Sequence, residues 1–175
     1  MTEQRRRGNS VIAEKSRAKR LAWQAEGRAR ARDGDLLHQA GCLLYWAEGS
    51  KSRNAVTMAN SDMNLMRLFR LFLSQCFGIE PDEMTFRLNV YTGNGLSIRE
   101  IEERWLRALQ LPRSCLRKHT LNNRTATTSG VKKNKLRYGV GNLHVLRSTW
   151  LIQHIYGAIQ EYGGFDEPKW LDLPR

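Results

Sequence analysis

The stretch Leu36-Leu37-His38-Gln39-Ala40-Gly41-Cys42-Leu43-Leu44-Tyr45-Trp46-Ala47-Glu48-Gly49 decides how the rest of the chain is read. It is apolar on nearly every side apart from His38 and Gln39, the pattern of a helix with no solvent face, so a buried helix is expected over 36–47. Glu48-Gly49 ends it, and the glycine is expected to take the left-handed cap conformation. Glu48 is the informative residue. A carboxylate at the carboxy end of a buried helix meets the negative pole of the helix dipole and needs a positive charge beside it. A divalent cation supplies that charge, and so does Lys51 or Arg53; spacing alone leaves both open.

Working outward, residues 51–59, KSRNAVTMA, suit a strand or tight hairpin with Val56 and Met58 on one face. Asn60-Ser61-Asp62 offers side-chain oxygens to cap a helix over about 62–77. Its Leu65, Met66, Leu68, Phe69, Phe72, Leu73 and Phe77 recur at helical spacing and face a core. In residues 84–91, MTFRLNVY, Met84, Phe86, Leu88 and Val90 alternate with Thr85, Arg87, Asn89 and Tyr91, which marks a half-buried strand. Ser97 and Glu100 form a capping box that opens a helix over 98–109, with Ile98, Ile101, Trp105 and Leu109 inward. A strand over 138–147 follows, then a helix over 148–162 stopped by Gly163-Gly164. The tail can fold Trp170 and Leu171 back on the domain, while Pro168 and Pro174 bar further helix. The expected class is α/β of the α+β kind, helices mixed with an antiparallel sheet.

At 175 residues the chain has room for one well-buried domain and an appendage. Its formal charge of +12 is gathered in two places. Residues 1–34 hold Arg5, Arg6, Arg7, Lys15, Arg17, Lys19, Arg20, Arg28, Arg30 and Arg32 against Glu3, Glu14, Glu26 and Asp33. Residues 113–137 hold Arg113, Arg117, Lys118, Arg124, Lys132, Lys133, Lys135 and Arg137 with no acid. Two such blocks around a nearly neutral body build a local positive potential suited to a polyphosphate, which releases counterions on binding. The first block reads as a basic helix over 10–32 ended by Asp33-Gly34. Its Val11, Ile12, Leu21 and Trp23 form no continuous stripe, so it is expected outside the core or docked on DNA. Part of the second, RTATTSGVKKNK at 124–135, reads as a mobile basic loop. The domain plan is a basic arm at 1–34, a core domain at 35–165 carrying an inserted helix and basic loop at 97–137, and a tail at 166–175.

Cys42, Cys76 and Cys115 are odd in number and far apart, and no signal peptide or membrane-length apolar run is present. A reducing cytoplasmic setting, associated with the nucleoid, is expected, with no membrane partner. Cys115 and His119 have ligand-like spacing but no second pair nearby to complete a tetrahedral zinc site. His38, His119 and His154 read as surface or capping histidines.

Residues 41–49, GCLLYWAEG, followed by Ser50, resemble the nine-residue signature of the LAGLIDADG homing endonucleases. In that family the motif is a helix that packs against its twin and ends in an acid that binds the catalytic metal, while sheets from the two halves form a saddle on DNA. The resemblance implies that Glu48 takes the place of the metal-binding acid and Gly49 that of the closing glycine, with Mg2+ as the cofactor. It covers roughly residues 36–162, where the order of elements is also similar, although only the nine-residue motif is specific. Glu stands where Asp is commoner, which keeps a hard oxygen ligand. Leu43 and Trp46 are bulkier than close twin packing favours, and the helix 98–109 with its following loop looks inserted.

One motif per chain implies a homodimer that sets two Glu48 side chains beneath two scissile phosphates, where metal activates water and stabilises the leaving oxygen. Lys51 or Arg53 then faces the developing charge. For binding, Arg87, Asn89 and Tyr91 with Asn142 and His144 supply groove-reading chemistry. Lys132, Lys133, Lys135 and Arg137 supply phosphate contacts, and Arg17, Lys19 and Arg20 add those of the arm. The functional expectation is double-stranded DNA binding with metal-dependent endonuclease activity. The alternatives are a non-cleaving DNA-binding regulator of the same fold and an RNA-binding accessory protein.

Overall fold

The computed structural model describes residues 3–91, 95–122 and 136–173, with side chains from Gly8 onward. In chain order its elements are α1 (Glu3–Ala31), α2 (Leu36–Glu48), β1 (Val56–Asn60), α3 (Met63–Phe77), β2 (Met84–Tyr91), α4 (Ile98–Leu109), β3 (Thr120–Asn122), β4 (Val140–Val145) and α5 (Thr149–Gly163). The class is mixed α/β with a four-stranded sheet. The chain divides into two units, one of residues 1–46, 51–56 and 147–175, the other of residues 47–50 and 57–146.

In the first unit α1 packs along α5. Arg20, Gln24, Gly27 and Ala31 are buried and recur at three- and four-residue spacing, which is one face of the helix. The expectation that this helix stays outside the core is therefore corrected for its second half. No apolar stripe announces the contact because the helices approach too closely for large side chains: a Cβ on Gly27 would lie 1.9 Å from the His154 carbonyl oxygen. Amides fill the seam instead. Gln24 Nε2 donates to Gln153 Oε1 at 2.8 Å, and Gln160 Nε2 donates to Gln24 Oε1 at 3.3 Å, so the buried polar groups satisfy one another.

Around this seam Leu151, Ile152, Ile155, Tyr156 and Ile159 of α5 are buried, but α2 is not enclosed all round as expected: it buries one face, His38, Gly41, Cys42 and Tyr45, and leaves Leu36 and Trp46 exposed. The tail does fold back. Trp170 lies against Tyr156 with ring centroids 4.8 Å apart and meets Phe165 edge-on, and Leu171 is buried. Pro168 opens a 3-10 turn, Pro168–Leu171, where helix had been ruled out; proline is tolerated in a first turn because its missing N–H would have no partner there.

In the second unit the strand order is β1-β4-β2-β3. β4 runs antiparallel to β2, but β3 runs parallel to it, so the sheet is mixed rather than wholly antiparallel. The long connection through α4 returns the chain for that parallel pairing. Met84, Phe86, Leu88 and Val90 are buried as their alternation implies, together with Leu143 and Val145 of β4. Gly141 is required at its place in β4, since a Cβ there would stand 2.8 Å from both the Phe86 and Trp105 rings. The expected caps form: Asp62 accepts from the Asn64 and Leu65 N–H groups, and Ser97 and Glu100 make the capping box. Within α3, Met66, Phe69, Phe72 and Leu73 are buried, whereas Leu68 faces solvent.

Gly49 does not take the left-handed cap conformation. It forms an isolated antiparallel bridge with Met58, and Ser50 N–H donates to the Thr57 carbonyl at 2.9 Å, so the chain leaves α2 by joining the edge of the sheet. The basic stretch 124–135 lies outside the described residues, and so do Lys132, Lys133 and Lys135 within it.

Candidate nucleic-acid interface

Residues directly opposite in an antiparallel pair share a face of the sheet. The β2–β4 register sets Arg87 opposite Asn142 and Thr85 opposite His144. The β2–β3 register sets Asn89 beside Thr120 and Tyr91 beside Asn122. On β2 and β4 one face is thus apolar and buried, and the other face of the sheet carries Thr85, Arg87, Asn89, Tyr91, Thr120, Asn122, Asn142 and His144. Arg87 and Asn89 are exposed, and Tyr91 is 46% exposed. Among the described residues of this face there is no carboxylate.

Several of these side chains are already held. Asn122 Nδ2 donates to Asn89 Oδ1 at 2.5 Å, so the Asn89 oxygen is engaged within the face. His144 Nδ1 lies 2.8 Å from Thr57 Oγ1 on β1, and burial, with Arg87 adding repulsion, pushes its pKa down so that it is neutral at pH 7. Asn142 Oδ1 is buried and without a hydrogen-bond partner. Thr120 and Asn122 were missed by the sequence reading because a three-residue parallel strand shows no alternation. Arg137 is exposed, its guanidinium 5.9 Å from the Tyr138 ring centre.

Glu48 is exposed at the end of α2, where Asn60 Nδ2 donates to its Oε2 at 3.0 Å. Asn60 also accepts from the Asp62 N–H at 2.9 Å, so one residue links the candidate acid to the cap of α3. Within the first unit Lys51 Nζ donates to the Trp46 and Tyr45 carbonyls at 2.5 and 3.3 Å. That ammonium supplies the positive charge the carboxy end of α2 calls for. Arg53 is half-buried, with its Nε enclosed and unpartnered. Among the described residues no three His, Cys, Asp or Glu side chains gather to hold a metal ion.

The cations of the arm divide. Arg20 is buried, donating to the Leu171 carbonyl at 2.7 Å and to Asp172 at 3.0 Å, and Arg17 also reaches Asp172, at 3.2 Å. Arg28 pairs with Asp166, Arg30 with Asp33 and Asp35, and Arg32 grips Glu161 through two N–H groups. Lys19 is exposed.

The three histidines are not at the surface. His38 is fully buried, with Nδ1 2.7 Å from Tyr162 Oη and Nε2 3.2 Å from His154 Nε2. Burial pushes both pKa values down, that of His154 to about 4 with His38 and Arg30 adding to the effect. His119 accepts the Leu88 N–H on Nδ1 at 3.1 Å, so Nε2 carries its proton and donates to Glu102 at 2.8 Å. Cys115 donates to the Pro81 carbonyl at 3.1 Å. Among the described residues no helix is long and apolar enough to cross a membrane. Compared with protein-family models, with curated proteins and with solved structures, the chain matches none.

Proposed function

We propose that the chain binds double-stranded DNA on the open face of its sheet and, as a homodimer, cleaves it with Glu48 as the acid of a Mg2+ site. The observation that carries the reading is the composition of that face: Arg87 opposite Asn142 and Tyr91 beside Asn122, with no carboxylate among its described residues to repel phosphate. Arginine suits the guanine edge and asparagine the adenine edge in the major groove. The setting that follows is the cytoplasm, on the nucleoid.

The cleavage half rests on the likeness of residues 41–49 to the LAGLIDADG signature and on the state of Glu48. Its carboxylate is exposed, Asn60 steadies one oxygen, and the other is left to an outside ligand. Mg2+ commonly takes one or two carboxylates and keeps several waters, so a single hard oxygen ligand per chain, with the neighbouring Gly49 carbonyl, fits it. Bound there, the ion supplies water activation and charge neutralisation at a phosphate. A second reading, a DNA-binding regulator that does not cut, is favoured by Lys51, whose ammonium already neutralises the end of α2.

The test is binding and cleavage of duplex DNA carrying the sequence that flanks the chain's own coding region. Wild-type protein is expected to shift the duplex and to nick it with Mg2+. Glu48→Gln keeps the shift and loses the nick, and Arg87→Ala weakens the shift by about tenfold or more. Tight binding without cleavage in Mg2+ or Mn2+ establishes the regulator, and preference for a folded RNA at matched salt moves the assignment to RNA.

A further inference from the structure

α1 changes character at Arg20. From there to its end a residue is buried at every third or fourth position, whereas residues 8–19 are all exposed, so no face of that stretch is covered. A helix face that packs would show one buried residue per turn. The overhang keeps helical hydrogen bonds but gains nothing from packing, and isolated helices of this length are marginal in water. Gly8 and the β-branched pair Val11 and Ile12 weaken it further. Such an element gains most from an outside partner.

Charge identifies the partner. The cations of the packed half, Arg20, Arg28, Arg30 and Arg32, all bond to carboxylates of their own unit. The charge left over is in the overhang, where the sequence places Arg5, Arg6, Arg7, Lys15, Arg17 and Lys19 against Glu3 and Glu14. Ser10 donates to Glu14 at 3.1 Å, and Arg17 is shared with Asp172. Lys15 and Lys19, four residues apart, lie on one side of the helix. A membrane surface is the poorer match, because Val11 and Ile12 are the overhang's only large apolar side chains and do not make the apolar face an interfacial helix needs.

We infer that the overhang, residues 3–19, is a second nucleic-acid element, an arm that lies along the phosphate backbone of duplex DNA and whose helix is completed by that contact. The inference rests on the proposed DNA binding and adds to the sheet face a contact that holds the duplex without reading its sequence. Asp172 then competes with phosphate for Arg17.

The experiment compares the full chain with a variant carrying Arg5→Gln, Arg6→Gln, Arg7→Gln, Lys15→Gln and Lys19→Gln. Glutamine keeps helix propensity, the described sites are exposed, and thermal unfolding confirms an intact fold. Anisotropy of a labelled random-sequence duplex is read across a salt series. The variant is expected to lose about tenfold or more in affinity at low salt, and its plot of log K against log salt becomes shallower by about 1 for each phosphate contact removed. Circular dichroism shows added helix on duplex addition in the wild type alone. Identical slopes and identical helix gain overturn the arm, while a continued effect of Arg87→Ala leaves the sheet reading standing. Binding by neither protein removes both readings. Capture of anionic vesicles in preference to duplex also overturns the arm.

Discussion

Gly157 of α5 lies against the main chain of Gln24 in α1, so closely that a Cβ on the glycine would stand 2.0 Å from the Gln24 carbonyl oxygen. The neighbour is backbone, which cannot turn aside as a side chain can. Gly27 stands in the same relation to the His154 carbonyl, so the two helices meet main chain to main chain at two points.

Gly157→Ala therefore forces α1 and α5 apart. The loss is expected at about 3 kcal/mol, the upper range for inserting a methyl group into a tight contact, even though alanine favours the helix itself by roughly 1 kcal/mol. Urea denaturation followed by circular dichroism measures it. A variant as stable as the wild type would mean that the seam slides freely.

Acid should loosen the first unit in two stages. His154 has its folded-state pKa pushed down to about 4 and that of His38 is lowered too, so the unfolded chain takes up protons first as pH falls below the ordinary histidine value of about 6.5. Stability is fully present above that pH and is lost between there and about 4, by an amount on the order of 3 kcal/mol for His154. Asp35 and Glu161, whose pKa values are lowered by hydrogen bonding to backbone N–H and to Arg32 respectively, add their loss only at lower pH. Denaturation midpoints taken between pH 7.5 and pH 4 reveal the first stage, and His154→Gln should flatten it. An unchanged midpoint across that window would rule out a neutral imidazole pair.

Glu102 anchors the approach to β3. It accepts the His119 Nε2–H at 2.8 Å and pairs with Arg113, and it and His119 are only 13% and 10% exposed. Glu102→Ala leaves an imidazole N–H nearly enclosed without an acceptor, which costs about 1–3 kcal/mol. Faster amide hydrogen exchange at residues 119–122 is the expected signature. Protection equal to the wild type would show that β3 holds without the carboxylate.

What could be read from the sequence followed from periodicity. Met84, Phe86, Leu88 and Val90 alternate without exception, and Asp62 and the Ser97–Glu100 pair are local caps, so β2, α3 and α4 fall where their residues place them. Arg87, Asn89 and Tyr91 were legible as an outward face for the same reason. The seam of α1 was not, because Arg20, Gln24 and Gly27 form a packing face out of residues that ordinarily mark solvent. Nor was the neutralisation of the basic block, since Glu161, Asp166 and Asp172 are more than a hundred residues away in sequence. His38 reads as a surface or capping residue from its neighbours alone, and that reading fails because Tyr162 and His154, remote in sequence, meet it inside the fold.

β4 lies between β1 and β2, yet it is the last strand to leave the ribosome. Until residues 140–145 are synthesised, β1 and β2 have no common neighbour, and β2 has only the three-residue β3 and the Leu116 bridge along its other edge, so its apolar side chains Phe86, Leu88 and Val90 wait in a half-built sheet. Sheet closure is thus a late, long-range event with the slow kinetics of high contact order. During translation this half of the protein is a natural client for chaperones.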